Sequence, residues 1–283
     1  MAKDLAFEKG NIAVVNGAAD GIGLAAAKRF AALGMKVVMS DLNEERLTGT
    51  ARSEVLSILG GDEESLLTAR VDVSDRTQLD ALCAEVFDRF GRVDVLMNNA
   101  GIPGGGAPWQ DYDGWQKVIG VNFWGPINGV AAFGEKMIAQ RSPGVIVNTG
   151  SKQGITHPPG FAGYNVSKAA VRAFTENLEH TLRNTEGCQV HAHLLIPGFT
   201  YTGMMRPFLE NKPDAAWWPE QVVDYMIEKI DAGSFYILCP DNDVTVEMDN
   251  KRMQWGIDDL IEDRPALSRW HPDWTDAFEK FMS

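Results

Sequence analysis

The sequence is poor in cysteine, and the few cysteines present are not arranged for a cross-link or a metal site. The 283 residues include three cysteines, Cys83, Cys188 and Cys239, which are far apart and form no CxxC pair. An odd number at such spacings argues against a disulfide framework and against a zinc site. We therefore expect small buried thiols in a reducing compartment, and no bound metal.

Positive charge and long apolar runs are also scarce. Lysine and arginine total 26 against 39 aspartate and glutamate residues, and the formal net charge of −13 repels nucleic-acid backbones and anionic lipid surfaces. No stretch approaches the ~20 consecutive apolar residues that span a bilayer. The segment Met1–Gly10 is charged where a secretory signal is apolar. These absences predict a cytoplasmic protein with no nucleic-acid or membrane partner.

What the sequence does contain is an alternation of short apolar runs with longer amphipathic segments. This pattern is typical of an α/β protein with a doubly wound parallel sheet and helices on both faces. No Ser/Pro-rich linker divides the chain, so we predict one domain over residues 1–283, with 240–283 as a C-terminal helical extension. The seven predicted strands lie near Ile12–Val15, Lys36–Ser40, Leu66–Val71, Val93–Met97, Gly144–Thr149, Val190–Ile196 and Phe235–Leu238. The predicted helices between them lie near Gly21–Leu33, Glu44–Leu59, Arg76–Phe90, Tyr112–Gln140, Gly163–Thr185 and Pro219–Ala232.

A glycine-rich turn directly follows the first predicted strand. Gly17, Gly21 and Gly23 stand between that strand and the first helix, where the backbone must turn tightly and where helix N–H groups bind phosphate. The spacing is GxxxGxG, not the commoner GxGxxG, and a plain connecting turn is the alternative interpretation. The position favours a site for the pyrophosphate of a dinucleotide.

An acidic residue stands where the second predicted strand ends. Asp41 follows Gly17 by 24 residues, the place in a βαβ unit from which a carboxylate accepts hydrogen bonds from the adenosine ribose. The same carboxylate repels a 2′-phosphate, and no arginine or lysine stands between Gly17 and Gly23. A helix cap ahead of Glu44 and Glu45 is the alternative. We predict NAD as the cofactor, with NADP less favoured.

Three polar side chains in the second half of the chain suit proton transfer. Tyr164 and Lys168 are four residues apart in a predicted helix, so they share one face, and an ammonium beside a phenol lowers the pKa of the phenol. Ser151 ends the fifth predicted strand, at the same sheet edge as the glycine turn, and its hydroxyl can hold a substrate carbonyl. Taken singly, these residues also fit ordinary structural roles, a surface pair and a cap.

Together these motifs resemble the short-chain dehydrogenase/reductase family, in the family's order from Asn11 to Leu238. Asp72 and Val73 match the pair that contacts the adenine, residues 98–101 match the NNAG motif, and residues 197–202 match the segment that covers the nicotinamide. Asn16 stands where threonine is usual, which should alter a local hydrogen bond. The resemblance implies a Rossmann-type fold with cofactor contacts from Gly17, Asp20, Gly21, Ile22, Gly23, Asp41, Leu42, Asp72, Val73, Asn99, Ala100, Gly101, Tyr164, Lys168, Pro197, Gly198, Thr200 and Thr202.

The resemblance also implies the chemistry. It predicts an NAD-dependent oxidoreductase that interconverts a secondary alcohol and a ketone by hydride transfer, with Tyr164 as general acid/base. Ser151 would stabilise the substrate oxygen, Lys168 would lower the pKa of Tyr164 and bind the nicotinamide ribose, and Asn122 would hold a water for proton relay. Family members are usually dimers or tetramers, so a homodimer or homotetramer is expected.

Loops at the predicted carboxyl edge of the sheet, residues 102–109, 152–161 and 199–218, are rich in aromatic and methionine side chains. This composition favours a bulky apolar or aromatic substrate, although such side chains also pack loops onto a core or onto another subunit. The predicted substrate contacts are Ser151, Gln153, His157, Phe161, Tyr164, Phe199, Met204 and Met205.

The extension holds a further predicted helix, Val244–Asp263, and five aromatic residues. Solvent exposure of so many aromatic side chains is unfavourable, so we expect the extension to pack over the substrate loops or onto a neighbouring subunit. These aromatic residues are Trp255, Trp270, Trp274, Phe278 and Phe281.

Two other functions stay open from the sequence alone. An NADPH-dependent ketoreductase would need a basic residue near the adenosine ribose, which Asp41 opposes. A non-catalytic dinucleotide-binding sensor would lack Ser151, Tyr164 or Lys168, and all three are present.

Overall fold

Seven strands lie in the part of the chain that the computed structural model describes, residues 5–283. The first four residues of the charged segment Met1–Gly10 lie outside the described residues. The strands are β1 (Ile12–Asn16), β2 (Lys36–Asp41), β3 (Leu66–Arg70), β4 (Val95–Asn98), β5 (Gly144–Thr149), β6 (Val190–Ile196) and β7 (Tyr236–Leu238). They form one parallel sheet in the order β3-β2-β1-β4-β5-β6-β7, which confirms the predicted doubly wound, single-domain α/β fold.

The central strands are buried on both faces, which is why they appear in the sequence as unbroken apolar runs. All residues of β1, β4 and β5 are buried. In β1, Ala13 and Val15 pack into one helical layer, and Ile12 and Val14 pack into the other. The sheet therefore separates two hydrophobic cores.

Helices cover both faces of the sheet. They are α1 (Gly21–Ala32), α2 (Glu44–Arg46), α3 (Arg52–Ile58), α4 (Arg76–Phe90), α5 (Tyr112–Ile119), α6 (Gly125–Ala139), α7 (Gln153–Thr156), α8 (Ala162–Arg183), α9 (Pro219–Asp231), α10 (Val246–Ile261) and α11 (Thr275–Met282). On one face α1 packs with α9, and on the other α4 packs with α6.

Two helices that the sequence predicted as continuous are interrupted, so those predictions were wrong in detail. A π-helical turn at Leu47–Ala51 separates α2 from α3, and Gly49 within it has non-helical angles (φ −86°, ψ −110°). A second π-helical turn at Gly120–Trp124 separates α5 from α6. It contains Asn122, whose fully buried side chain is hydrogen-bonded to the backbone of Ile102. Single π turns of this kind are frequent at functional sites.

A row of buried polar side chains ties the strands together near their carboxyl ends. Ser40 Oγ donates to Asn16 Oδ1 (2.6 Å), Asn16 Nδ2 to Asn98 Oδ1 (3.0 Å), Asn98 Nδ2 to Asn148 Oδ1 (2.9 Å), and Asn148 Nδ2 to Thr175 Oγ1 (3.1 Å). The row runs from β2 across the sheet to α8. Because each amide is satisfied in the interior, the row fixes the strands that carry the site residues.

The C-terminal extension follows β7 and folds around one tryptophan. Trp255 on α10 is buried, and its ring lies 5.2–6.1 Å from the rings of Trp274, Phe278 and Phe281. The Arg264 guanidinium stacks on the same ring. Helix α10 also contacts α7, the short helix after β5. The extension thus packs beside the substrate loops, one of the two positions predicted for it.

Candidate active site

The glycine turn lies at the switch point of the sheet, where β1 is flanked by β2 and β4, the usual ligand position in such folds. Gly17 and Gly21 line a cleft of about 800 Å³, within the ~300–1,000 Å³ typical of ligand and cofactor sites. Gly23 does not line the cleft, because it faces the turn itself: a Cβ there would lie 2.0 Å from the Gly17 carbonyl oxygen. The turn therefore offers the close backbone approach that a pyrophosphate requires.

Asp20 caps the N-terminus of α1 and forms ion pairs with two arginines. Its Oδ1 accepts a hydrogen bond from the Gly21 N–H at 2.6 Å. Its Oδ2 pairs with Arg46 at 3.0 Å and with Arg206 at 2.8 Å. The sequence did not predict these cations at the turn, since Arg46 comes from α2 and Arg206 from the loop after β6. They offset the negative charge that Asp20 places at the helix N-terminus.

Asp41 lies at the end of β2, as predicted, and lines the cleft. Its Oδ2 accepts the Ala19 N–H at 3.0 Å and its Oδ1 accepts the Asn43 N–H at 2.9 Å. Each carboxylate oxygen has a further lone pair for another donor. Arg46 lines the same part of the cleft, with its Nε donating to the Ala19 carbonyl at 2.8 Å.

Two segments bring Ser151, Tyr164 and Lys168 together. Ser151 follows β5, and Tyr164 and Lys168 lie in the first turns of α8. The Ser151 hydroxyl lies close enough to the Tyr164 phenol to influence its pKa. The Lys168 Nζ lies 5.7 Å from the centroid of the Tyr164 ring and donates to the Thr149 carbonyl at 2.8 Å. All three residues line the cleft that also contains the glycine turn.

Burial dominates the acidity of these groups. It raises the pKa of the Tyr164 phenol, and the Ser151 hydroxyl opposes that rise. Burial lowers the pKa of the Lys168 ammonium from 10.5 to about 8. The sequence predicted that Lys168 lowers the pKa of Tyr164. In the structure the Lys168 hydrogen bond goes to the Thr149 carbonyl, and the pKa of the phenol follows burial and Ser151.

Asn122 lies beside this group but is largely engaged. Its Nδ2 donates to the Ile102 carbonyl (2.9 Å) and to Ser167 Oγ (3.1 Å), and its Oδ1 accepts the Ile102 N–H (2.8 Å). Both amide hydrogens are used, and Oδ1 keeps one acceptor position. A Cβ built on Gly101 would lie 3.5 Å from both Asn122 Oδ1 and Lys168 Nζ, so the two groups flank the same space.

Most of the predicted site residues line the cleft, and a few do not. The lining includes every predicted cofactor residue except Gly23, and every predicted substrate residue except His157 and Phe161. His157 ends α7 in a left-handed conformation (φ 51°), and burial lowers the pKa of its imidazole. Phe161 is exposed. The lining also contains residues that the sequence did not single out, among them Arg46, Ile102, Lys117, Val121 and Lys152.

The cleft that Ser151 and Tyr164 line also contains apolar side chains. Phe199, Met204, Met205 and Ile102 line it, with Gln153 as a neutral polar group. The loop after β4 is held against the start of α8, because the Gly163 and Tyr164 N–H groups donate to the Gly105 and Gly104 carbonyls at 2.6 and 3.1 Å.

The absence of a side chain at Gly154 allows α7 to pack closely against α8. A Cβ at this position would lie 2.5 Å from the Lys168 carbonyl carbon and 2.7 Å from its oxygen. We expect Gly154→Ala to push α7, and Ser151 with it, away from Tyr164. Displacements of ~1 Å at a reacting group can lower rates ~100-fold, and overpacking costs roughly 1–3 kcal/mol. Steady-state turnover and thermal unfolding measure the two effects.

Gly256→Ala is the matched control for this substitution. Gly256 is an exposed glycine in α10, and a Cβ added to it would meet no neighbouring atom within 4 Å, while alanine is the better helix former. This variant should keep full turnover and be slightly more stable. Equal turnover in the Gly154 and Gly256 variants would show that the contact between α7 and α8 does not position Ser151.

The described residues hold no other chemistry-bearing cluster of the kinds considered from the sequence. In residues 5–283 no group of three or more histidine, cysteine, aspartate or glutamate side chains is placed to hold a metal ion. Over the same residues, no helix combines the length and the apolar character needed to cross a bilayer. Cys83, Cys188 and Cys239 are free thiols.

Comparison with known proteins agrees with this geometry. The family described as short chain dehydrogenase matches residues 11–213. The chain is 35% identical over 216 residues to 2,5-dichloro-2,5-cyclohexadiene-1,4-diol dehydrogenase LinX of Sphingobium indicum, covering 75% of this chain and 79% of that protein. Other curated relatives are 36% identical over 175 residues, and the match spans 61% of their length.

Solved structures share the fold. A short-chain dehydrogenase/reductase from Burkholderia phymatum in complex with NAD has a TM-score of 0.78 and 32% identity, with 94% of this chain and 98% of that chain covered. A metagenomic short-chain oxidoreductase in complex with NADP has a TM-score of 0.68 and 27% identity, with 83% and 98% covered. The chain belongs to the short-chain dehydrogenase/reductase family of oxidoreductases.

Proposed function

We propose that the protein is an NAD-dependent oxidoreductase that interconverts a secondary alcohol and a ketone, with Tyr164 as general acid/base. The observation that carries the proposal is that Ser151, Tyr164 and Lys168 line the same cleft as the glycine turn. The Ser151 hydroxyl is close enough to the Tyr164 phenol to oppose the rise in its pKa. The residues present fit a dinucleotide, because the turn approaches closely and Asp41 has lone pairs for ribose hydroxyls.

In this proposal the protein contributes positioning and a proton. When bound, the nicotinamide supplies or accepts the hydride. Ser151 and Tyr164 donate hydrogen bonds to the substrate oxygen, where negative charge develops during ketone reduction, and Tyr164 gives that oxygen its proton. In alcohol oxidation the Tyr164 phenolate takes the proton. The raised pKa of the phenol suits it to the other role, as the proton donor in ketone reduction.

Lys168 and Asn122 would serve the proton path. Lys168 is buried beside the Tyr164 ring, so its ammonium favours the phenolate electrostatically when Tyr164 ionises. The proton relay through Asn122 remains part of the proposal. It would use the remaining acceptor position of Asn122 Oδ1, on the side of Gly101 that faces Lys168.

The preferred substrate would be bulky and apolar or aromatic. Phe199, Met204, Met205 and Ile102 line the same cleft as Ser151, and methionine side chains adapt to irregular apolar groups. Lys152, the cation nearest Ser151 in sequence, is paired with carboxylates at 2.6 and 3.5 Å. Because these carboxylates neutralise the Lys152 ammonium, it is not available to bind the carboxylate of a small hydroxy acid, and such a substrate is disfavoured.

Asp41 supports NAD over NADP, while Arg46 favours an NADPH-dependent ketoreductase as the second candidate. Arg46 lines the cleft beside Asp41, and a guanidinium is a good partner for a 2′-phosphate. In the structure, however, Arg46 is engaged by Asp20 and by the Ala19 carbonyl. We therefore rank NAD first.

The direct test is the absorbance of the reduced nicotinamide, with NAD and then NADP, over a panel of secondary alcohols. The panel should include 2-propanol, cyclohexanol and 1-phenylethanol, and we expect the largest kcat/KM for 1-phenylethanol with NAD. Preference for NADP would support the second candidate. Cofactor binding without turnover of any alcohol, or of the matching ketones with NADH, would contradict an oxidoreductase acting on this class.

Asp41→Ala should narrow the preference for NAD over NADP by about tenfold or more, because like charges placed side by side cost several kcal/mol. The ratio of kcat/KM values for the two cofactors measures the change. Asp41→Asn is the informative companion, because it removes the charge while its amide oxygen still accepts one of the two N–H groups, those of Ala19 and Asn43, that the carboxylate binds. If neither variant changes the ratio, the adenosine ribose is recognised elsewhere.

A homodimer or homotetramer and a cytoplasmic location stay predictions. Trp124, in the π-helical turn before α6, and Val166, on α8, are about half-exposed, and exposed apolar side chains of this kind support self-association. Sedimentation at several protein concentrations would test it.

A further inference from the structure

Lys152 directly follows Ser151, and its ammonium points away from bulk solvent into a cluster of carboxylates. Lys152 Nζ lies 2.6 Å from Asp249 Oδ2 and 3.5 Å from Asp241 Oδ2. The exposed fractions of the three side chains are 16% for Lys152, 6% for Asp249 and 5% for Asp241. The cluster is therefore largely screened from water, where ion pairs are strongest and least tolerant of a missing partner.

The three residues come from three different parts of the chain. Lys152 belongs to the loop that carries Ser151, Asp241 follows β7, and Asp249 lies on α10 of the C-terminal extension. Arg252, one turn further along α10, lies 3.7 Å from the other oxygen of Asp249. Of the two carboxylates, Asp249 lies nearer to the Lys152 ammonium. The C-terminal extension therefore holds the residue that directly follows Ser151.

The cluster also holds the segment after β6. Asp241 Oδ2 accepts the backbone N–H of Phe199 at 3.2 Å, and Lys152 N–H donates to the Pro197 carbonyl at 3.3 Å. A Cβ built on Gly198 would lie 2.9 Å from Lys152 Nζ and 3.0 Å from Asp241 Oδ2. The ammonium thus packs directly against the Gly198 backbone, leaving no room for a side chain there.

We propose that the Lys152–Asp241–Asp249 cluster makes the C-terminal extension part of the active site, with Asp249 as a positioning residue. Asp249 holds Lys152, and Lys152 in turn fixes Ser151 on one side and the Pro197–Phe199 segment on the other. Both segments line the cleft. The inference rests on the proposed function only for its catalytic consequence, because the positioning itself is a property of the free protein.

The first test needs no substrate. Hydrogen–deuterium exchange of the full-length, cofactor-free protein should be at least about tenfold faster in residues 150–157 and 197–206 of Asp249→Asn than in the unchanged protein. Asp243→Asn is the matched control. It removes the same negative charge two residues from Asp241, but Asp243 is exposed. Exchange in those segments that is equal for the Asp249 and Asp243 variants would overturn the proposal.

A double-variant cycle covers the case in which Asp249→Asn folds poorly. Lys152→Met leaves Asp249 with the more distant Arg252, at 3.7 Å, in place of its 2.6 Å pair with Lys152. Lys152→Met with Asp249→Leu removes both members of that pair. In both variants Asp241 keeps its backbone donors, Phe199, Asp243 and Val244. We expect the double variant to show slower exchange in residues 150–157 than Lys152→Met alone. Additive effects of the two substitutions would contradict a direct coupling.

Kinetics test the catalytic consequence separately. With NAD and 1-phenylethanol, Asp249→Asn should lower kcat/KM about 100-fold, while the affinity for NADH, measured by fluorescence, stays within about twofold. Unchanged kcat/KM would reject Asp249 as a positioning residue for catalysis. If no alcohol is oxidised even by the unchanged protein, the proposed function fails, and the exchange experiments still decide the positioning.

Discussion

Tyr164→Phe should lower turnover by at least about 100-fold, the size usual for loss of a general acid or base, while leaving the affinity for NADH nearly unchanged. The substitution keeps the ring that packs beside Lys168 and removes the hydroxyl whose pKa Ser151 influences. Because burial raises the pKa of this phenol, the group is fully protonated at neutral pH and suited to donate in ketone reduction. Turnover is measured by nicotinamide absorbance, and NADH affinity by fluorescence.

Tyr112→Phe serves as the control for Tyr164→Phe. Tyr112 is a largely exposed tyrosine at the start of α5, so loss of its hydroxyl should change neither turnover nor binding. If Tyr164→Phe retained near-normal turnover, Tyr164 would not be the proton donor. A variant that lost NADH binding along with turnover would instead indicate that the phenol holds the cofactor site together.

The sheet could be predicted from the sequence because its strands are buried on both faces. β1 and β5 consist entirely of buried residues, and such strands appear as apolar runs with glycine or polar residues at their ends. The predicted strands agree with the observed ones to within one or two residues. The sequence predicted a doubly wound parallel sheet, and the order of its strands comes from the structure.

The π-helical turns could not be predicted in the same way. Residues 112–140 have an uninterrupted helical pattern, and the local sequence contains no proline before the turn at Gly120–Trp124. What accompanies that turn is a tertiary contact, the hydrogen bonds of the Asn122 side chain to Ile102. Local periodicity carries no information about a partner 20 residues away.

The same limit applies to charges in the site. The sequence singled out Asp41, Ser151, Tyr164 and Lys168 from their places relative to strands and helices, and the structure brings all four to one cleft. It missed the pairing of Asp20 with Arg206, which lies 186 residues further on. It also missed the contact of Lys152 with Asp249. Such pairs depend on how loops fold over the sheet edge, which no periodic pattern encodes.

Lys168→Met should stabilise the protein at pH 7 although it lowers turnover by about 100-fold or more. Burial lowers the pKa of Lys168 from 10.5 to about 8, and a shift of that size corresponds to a burial cost on the order of 3 kcal/mol for the charged form. The substitution also removes the hydrogen bond from Nζ to the Thr149 carbonyl, worth about 1 kcal/mol. The net gain expected in the free energy of unfolding is therefore roughly 1–2 kcal/mol.

The pH dependence gives the sign of this effect independently. The unfolded chain keeps the Lys168 proton up to 10.5, whereas the folded protein releases it at about 8. Between these values the unfolded state binds more protons, so Lys168 makes stability rise with pH in the unchanged protein. The Met variant should lack that contribution, and its advantage should be full below pH 8 and shrink as pH approaches 10.5.

Urea unfolding at pH 7 measures the expected gain in the free energy of unfolding of Lys168→Met. The same experiment at pH 9 measures how much of that gain is lost. Lys280→Met, at an exposed lysine of α11, is the control and should change stability by less than about 0.5 kcal/mol at either pH. A Lys168 variant that is less stable at pH 7 would mean that the ammonium makes net favourable contacts in the folded protein. A stabilised but inactive variant would show that this lysine is kept for its chemistry at the expense of the fold.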